Sequence, residues 1–223
     1  MISPAAARVI PFAVYIAFVV LQSAAGDSLA QGTFDARWFY GGRFCVVAGL
    51  LWYFRRHYTE LQTFAGVSGG RLLASIGAGF GVFLLWINLD FGWAVLGKPA
   101  AFDPTLADGS GVDTVAIVFR LMGMAVMVPI MEELFWRSYI LRRLDRFDFL
   151  ALHPAKASLY AVLVCATLFS LEHSSWLAGL AAGLVYTVVY MRSGNLWLPV
   201  NCHATTNAAL GAWVVTTGHW RFW

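Results

Sequence analysis

Charge is scarce in this sequence. Only 12% of its 223 residues are Asp, Glu, Lys or Arg, whereas 60% are hydrophobic, and a soluble domain usually carries about twice that share of charge. The composition therefore excludes an ordinary soluble domain and indicates a polytopic membrane protein. The formal net charge is only +3, and the basic residues form no stripe of the kind that binds DNA or RNA. We expect no nucleic-acid partner.

Cysteine is scarce as well, and several catalytic motifs are missing. Cys45, Cys165 and Cys202 lie within apolar runs and lack CxxC spacing, which argues against a disulfide framework and against a zinc knuckle. The chain has no HExxH motif, no GxSG serine elbow and no pair of aspartates on two apolar runs. These absences exclude the usual zinc, serine and aspartyl routes to hydrolysis within a membrane.

Long apolar runs, in contrast, are abundant. A bilayer core of about 30 Å needs roughly 17 to 25 apolar residues per helix. Seven candidate spans meet this need: about 9 to 25, 38 to 54, 71 to 89, 113 to 141, 155 to 172, 176 to 192 and 195 to 215. We therefore predict an all-α, polytopic transmembrane bundle of about seven (six to eight) spans, forming one domain over residues 1–223.

The charges between the spans predict an orientation. The loops between spans 2 and 3, 4 and 5, and 6 and 7 are basic, so the positive-inside tendency places them in the cytoplasm. The segment from Asp90 to Asp113, between spans 3 and 4, is acidic and rich in Gly and Pro. This pattern predicts a cytoplasmic N-terminus and an external C-terminus. A cleaved signal peptide is an alternative reading of the first span, but the loop charges favour a retained helix.

The fourth span contains charged residues within the stretch "IMEELFWRSYIL", residues 130–141. A charge at the centre of a spanning helix costs about 2.5–3.5 kcal/mol on insertion scales. Glu133 and Arg137 are four residues apart and can form an ion pair, which serves either structure or chemistry. Glu132 lies about 100° further round the helix and lacks that partner. An unpaired buried carboxylate is suited to act as a general base.

Two further spans each carry one polar turn. Phe169 and His173 lie four apart in "FSLEH", and His203 and Asn207 lie four apart in "HATTN". Either pair alone is explained by helix packing and interhelical hydrogen bonds. Together, three helices supply a carboxylate, two imidazoles and an amide, a set that can activate water and stabilise an oxyanion.

The prolines and the depth of the histidines raise two structural expectations. Pro129 and Pro199 precede the polar turns of spans 4 and 7, so we expect both helices to kink there. His173 falls near the outer end of span 5, whereas Glu132 and His203 fall in the cytoplasmic half. Either span 5 is displaced or tilted, or the turn "EHSSW" dips into the membrane.

The order "EELFWR", "FSLEH" and "HATTN" resembles the three motifs of the CAAX protease and bacteriocin-processing (CPBP, or Abi) family of glutamic intramembrane proteases. The resemblance covers about residues 113–215, which would be the protease core. The flanking phrases "VPIMEELFWRSYILR" and "LEHSSWLAGLAAGLVY" and the ending "TTGHWRFW" are most similar to the CAAX-protease-related subgroup found with exosortase systems. This resemblance implies a bacterial inner (plasma) membrane and a link to an exosortase sorting system.

The resemblance also implies roles for the motif residues. Glu132 would polarise the attacking water, and His173 would help to hold that water. His203 and Asn207 would stabilise the oxyanion of the tetrahedral intermediate. The residues expected to brace the site are Glu133, Arg137 and Phe169.

The expected function is an intramembrane endopeptidase that cleaves a membrane-associated protein or a lipidated peptide without a covalent enzyme intermediate. We expect no cofactor, although Glu132, His173 and His203 could hold zinc. Two other classes stay open from the residues: a proton-coupled transporter or channel, because proton relays also use buried Glu, His and Arg, and a non-catalytic membrane scaffold or immunity protein.

Overall fold

The computed structural model describes residues 2–30, 37–97, 104 and 113–222, without the side chains of 25–30 and 37–39. Most of the predicted loop between Asp90 and Asp113 lies outside these residues. The described part of the chain forms seven long helices and no strand: α1 Pro4–Ala30, α2 Arg37–Phe54, α3 Gly69–Asn88, α4 Thr114–Arg143, α5 Leu159–Ser170, α6 Trp176–Ser193 and α7 Trp197–Thr217.

Each of the seven predicted apolar runs forms one of these helices. By length and composition, three of the described helical segments are able to cross a membrane, namely Pro4–Ala24, Gly69–Asn88 and Thr114–Arg143. The prediction of an all-α membrane bundle is confirmed.

Several helix ends follow from local side chains. Ser68, Asp113 and Ser158 precede α3, α4 and α5, and each side chain accepts a hydrogen bond from a backbone N–H of the first turn, as N-cap residues do. Helices α6 and α7 end at Gly194 and Gly218, whose φ angles are +66° and +72°. Glycine adopts this left-handed conformation without the penalty that a Cβ atom would bring.

Helix α4 runs through the centre of the bundle and contacts α1, α2, α5 and α7. Around it, α1 packs on α2, α5 on α6, and α3 on α7. The α3–α7 contact is especially close at Gly79, whose carbonyl oxygen accepts a hydrogen bond of 2.8 Å from the Thr206 hydroxyl. Small residues allow such a close approach between membrane helices.

The two prolines behave differently from each other. Pro129 lies within α4, which continues past it but widens into π-helix over Gly123–Met127 and again over Glu133–Ile140. Pro199 lies in the first turn of α7, which begins at Trp197. Backbone N–H groups of a first turn have no intrahelical partner, so Pro199 removes no hydrogen bond there. The predicted kink before His203 is therefore wrong.

Helix α5 is shorter than the predicted span of residues 155–172. It begins at Leu159 and ends at Ser170, so it rises about 18 Å and is too short to cross a bilayer core of about 30 Å. The turn over residues 171–175 follows, in which Leu171 and Glu172 are exposed and His173 is half-buried. This turn contacts the segment after α3, where the Ser174 carbonyl accepts from the Leu96 N–H at 2.7 Å. His173 therefore lies in the turn after α5 and not within the helix.

A cluster of charged side chains joins three segments at one end of the bundle. Glu60, in the loop after α2, forms ion pairs with Arg8 of α1 and Arg142 of α4. The Ser138 hydroxyl donates to the Glu60 carboxylate at 2.6 Å. The beginning of α1, the loop after α2 and the end of α4 therefore lie together, as the loop charges predict.

Candidate active site

The fully buried Glu133–Arg137 ion pair lies beside the imidazole of His203. Glu133 and Arg137 are both 0% exposed, and Arg137 Nη1 lies 3.2 Å from Glu133 Oε1. The same carboxylate oxygen lies 3.0 Å from His203 Nδ1. An ionised carboxylate can only accept hydrogen bonds, so Nδ1 carries a proton and donates it to Glu133. The opposite ring nitrogen, Nε2, is then directed towards Glu132.

Glu132 is buried but has no direct partner for one of its oxygens. Its Oε2 atom lies 4.0 Å from His203 Nε2, which is longer than a hydrogen bond. No hydrogen-bond partner for this oxygen occurs among the described residues. The carboxylate therefore retains an acceptor position beside the imidazole, as the sequence predicts for the unpaired member of the Glu-Glu pair.

His173 is held at the end of α5 by its own helix turn. Its Nδ1 atom lies 3.0 Å from the Phe169 carbonyl oxygen, which can only accept, so Nδ1 is the protonated nitrogen. The Phe169 ring lies 4.8 Å from the His173 ring and 6.1 Å from the His203 ring, centroid to centroid. The guanidinium of Arg137 lies over the same phenyl ring at 4.3 Å. Phe169 therefore supports both imidazoles and the ion pair.

The Asn207 amide is fixed by the irregular part of α4. Its Nδ2 atom donates to the Met124 carbonyl oxygen at 2.7 Å. In π-helix this oxygen would accept from the residue five positions on, which is Pro129 and has no N–H to donate. The side chain of Asn207 donates in its place. One amide hydrogen is used in this way, and the second remains for another acceptor.

All four predicted catalytic side chains line one cavity of about 230 Å³. Its wall includes Glu132, His173, His203 and Asn207. The cavity extends from Glu132 past Leu210 and towards the starts of α2 and α4. This is the end of the bundle away from the Arg8–Glu60–Arg142 cluster.

The cavity also contains residues that the sequence motifs did not reveal. Tyr186 of α6 stacks on the His203 ring at 4.7 Å with an interplanar angle of 20°, and Trp86 meets the His173 ring edge-on at 5.2 Å. Arg43 and Arg120 line the far part of the cavity. The two aromatic residues could not be recognised from the sequence, because an uncharged side chain does not stand out in an apolar run. The two arginines could have been recognised, because each is an isolated charge within a predicted span.

The described residues contain no group of three or more His, Cys, Asp or Glu side chains arranged to hold a metal ion. His203 Nδ1 is bonded to Glu133 and His173 Nδ1 to a carbonyl oxygen. The expectation of a site without a cofactor stays a prediction.

Comparisons with known proteins agree with the motif order. Residues 114–209 match the family model described as Rce1-like, type II CAAX prenyl endopeptidase Rce1-like, a segment that contains every predicted site residue. Neither the curated proteins nor the solved structures gave a match. The exosortase-associated subgroup stays a prediction. Over residues 114–209, from the start of α4 into α7, the chain is similar to the Rce1-like family of type II CAAX prenyl endopeptidases.

Proposed function

We propose that this chain is an intramembrane endopeptidase in which Glu132 activates water for attack on a peptide bond. The observation that carries the proposal is the convergence of Glu132, His173, His203 and Asn207 on one cavity of about 230 Å³. Two helices, α4 and α7, and the turn after α5 supply these groups, so no single local packing requirement explains their meeting. The match of residues 114–209 to the Rce1-like family model supports the same reaction class.

The water is activated between Glu132 and His173. Glu132 Oε2 accepts a proton from water as the water oxygen bonds to the carbonyl carbon of the substrate. His173, with its proton on Nδ1, has Nε2 available to accept the other water hydrogen and so orient the nucleophile. When the C–N bond breaks, the proton passes from Glu132 to the leaving nitrogen. Proton transfer by a positioned side chain contributes typically 10²–10⁴-fold to rate.

The oxyanion is stabilised from α7. The second amide hydrogen of Asn207 is one donor. His203 is the other when both of its ring nitrogens are protonated, since Nδ1 is occupied by Glu133 and Nε2 faces the cavity. The Glu133–Arg137 pair keeps the ring in this orientation and balances charge around it. Removing a single oxyanion donor costs about 10²–10³ in turnover in a well-studied hydrolase.

The substrate is a membrane-associated protein. The apolar helices around the site support a position within the bilayer, where a membrane-anchored chain reaches it, and the family description is that of a CAAX prenyl endopeptidase. A lipid-anchored peptide of this class is therefore the first substrate to test. A link to an exosortase system, a bacterial plasma membrane and an external C-terminus are further parts of the proposal.

The decisive experiment replaces Glu132 by Gln, which keeps the shape and hydrogen bonding of the side chain and removes the base. Membrane proteins from cells with the native chain and from cells with Glu132→Gln are compared for new protein termini by mass spectrometry. We expect termini that occur only with the native chain, and a loss of about 10²–10⁴-fold in their formation with the variant.

Glu172→Gln is the matched control. The Glu172 carboxylate lies near the site but accepts from Trp136 Nε1 at 3.0 Å and does not line the cavity, so this variant should retain cleavage. Both variants should elute as the native protein does on size exclusion in detergent. Equal cleavage by native chain and Glu132→Gln would refute the endopeptidase and favour a scaffold.

A further inference from the structure

The guanidinium of Arg43 is a buried cation that faces the catalytic cavity. Arg43 lies on α2, is 7% exposed and lines the same cavity as Glu132. Its contacts are with two aromatic rings, at 4.8 Å from the Tyr15 centroid and 4.5 Å from the Tyr40 centroid. Among the residues whose side chains the structure describes, no carboxylate pairs with Arg43, and no side-chain or carbonyl oxygen accepts a hydrogen bond from it.

A second guanidinium lies at the same end of the cavity. Arg120 of α4 also lines the cavity, and its guanidinium lies 5.2 Å from the Tyr40 centroid, on the ring that Arg43 also contacts. Buried charges are normally paired, because taking an ion out of water is costly. The Arg43 guanidinium faces a cavity within the helical bundle and has no carboxylate partner among the described side chains. It is therefore arranged for an anion that arrives with a ligand.

The size and position of the cavity indicate which anion. At about 230 Å³ it is smaller than the pockets of about 300–1,000 Å³ that hold drug-sized molecules, so it accommodates the end of a peptide rather than a phospholipid. A carboxylate matches the planar fork of arginine with two parallel hydrogen bonds. We propose that Arg43 binds a carboxylate of the substrate, the one at its free C-terminus.

The helix geometry limits where the substrate is cut. Arg120 and Glu132 lie twelve positions apart on α4, a rise of roughly 18 Å, and an extended peptide advances about 3.4 Å per residue. A chain whose carboxylate lies at Arg43 therefore presents a bond to Glu132 within about five residues of its end. Arg43 is a specificity-determining residue outside the segment that matches the family, and its role rests on the endopeptidase function proposed above.

The test measures binding, so that it is independent of cleavage. Nanodiscs of neutral lipid carrying the Glu132→Gln protein are incubated with lipid-anchored peptides of randomised sequence. The peptides are an equal mixture of C-terminal acids and isotope-labelled C-terminal amides. Captured peptides are identified by mass spectrometry. We expect the acids to be enriched about tenfold over the amides. This is the change in affinity expected when one charge-assisted hydrogen bond is lost.

Two variants in the Glu132→Gln background separate recognition from folding. Arg43→Gln should bring the acid-to-amide ratio close to one, whereas Arg43→Lys, which keeps the charge, should retain part of the preference. Arg55→Gln is the control, since Arg55 also lies on an aromatic ring, 4.1 Å from the Trp52 centroid, but outside this cavity. It should keep the full preference.

Specific outcomes overturn the proposal. Equal capture of acids and amides by the Glu132→Gln protein, including no capture above empty nanodiscs, refutes recognition of a C-terminal carboxylate. A preference only for peptides with Asp or Glu side chains, whatever their C-terminus, assigns Arg43 to an internal carboxylate instead and refutes the C-terminal source. Neither result depends on whether the native chain cleaves, which the Glu132→Gln comparison in cells decides.

Discussion

The orientation of His203 depends on two charged residues that do not touch the substrate in our proposal. Glu133 accepts from its Nδ1 atom at 3.0 Å, and Arg137 lies 3.2 Å from the same carboxylate oxygen. All three side chains are almost completely buried. The adjacent acidic residues in the sequence are therefore not equivalent: Glu133 accepts from the imidazole, whereas Glu132 Oε2 has no hydrogen-bond partner among the described residues.

Replacing Arg137 by Met should be strongly destabilising, because it leaves the Glu133 carboxylate buried without its cation. Breaking a buried pair by removing one partner typically costs about 3–5 kcal/mol. The double variant Glu133→Gln, Arg137→Met should recover a large part of this loss, since no charge is then left unpaired. Thermal unfolding in detergent measures both effects.

The control for this series is Arg192→Met, which removes an exposed arginine at the end of α6 and should leave the unfolding temperature near the native value. Two results would contradict the described role of the Glu133–Arg137 pair. One is an unfolding temperature of Arg137→Met equal to that of the native protein. The other is a loss of stability in the double variant equal to the sum of the losses in the two single variants.

At the scale of whole helices, three irregularities bring the site together. Helix α5 ends at Ser170, Pro199 lies in the first turn of α7, and α4 is π-helical over Gly123–Met127. Periodicity of apolar residues predicts that a helix exists, but it does not distinguish α- from π-helix. The sequence therefore predicts seven helices correctly and cannot reveal that Asn207 is held by a carbonyl of a π turn.

Gly79→Ala tests the close packing of α3 on α7. A Cβ atom at Gly79 would lie 2.2 Å from the Cys202 carbonyl oxygen and 2.9 Å from the Thr205 Cβ, so the helices must separate. Such overpacking typically costs about 1–3 kcal/mol, and it also displaces the backbone next to His203. We expect a lower unfolding temperature in detergent together with reduced cleavage.

Glycines on the same helix provide matched controls. A Cβ atom at Gly77 or Gly81 would meet nothing within 4 Å. Gly77→Ala and Gly81→Ala should therefore be neutral or slightly stabilising, because alanine favours helix more than glycine does. Equal stability of all three variants would contradict the packing described for α3 and α7.

At the scale of the whole molecule, the site and the charged cluster lie at different levels of the bundle. The Arg8–Glu60–Arg142 cluster ties α1 and the loop after α2 to the end of α4, and the Tyr58 hydroxyl adds a hydrogen bond of 3.0 Å to the Ala7 carbonyl. The cavity extends in the other direction. Helix α1, outside the segment that matches the family, thus contributes both to the cluster and, through Tyr15, to the cavity.

Stability should depend on pH through Glu60. Burial alone would raise the pKa of its carboxyl group, but the guanidinium groups of Arg8 and Arg142 and the Ser138 hydroxyl together hold the pKa below its usual value. A carboxyl whose pKa is lower in the folded state stabilises the fold above its ordinary pKa, and this contribution is lost as the pH falls through the lowered value.

Glu60→Gln should therefore be less stable than the native protein at neutral pH, and the difference should shrink in acid. Unfolding temperatures in detergent across a pH series measure the difference. Asp148→Asn, which removes an exposed carboxylate from the loop after α4, serves as the comparison and should show little change. A difference between Glu60→Gln and native protein that stays constant down to strongly acidic pH would rule out this linkage.

The sequence by itself determined the class of the protein, the seven helices, the identity of the polar residues in or directly after three of them, and the family resemblance. Apolar periodicity, run length and motif spacing are local properties, and the chain displays them in order. Only the tertiary structure decided that Glu133 orients His203, that α5 stops where His173 can reach the cavity, and that Arg43 faces it from α2. These relations depend on how distant helices pack, because burial and distance between side chains are set by the whole bundle.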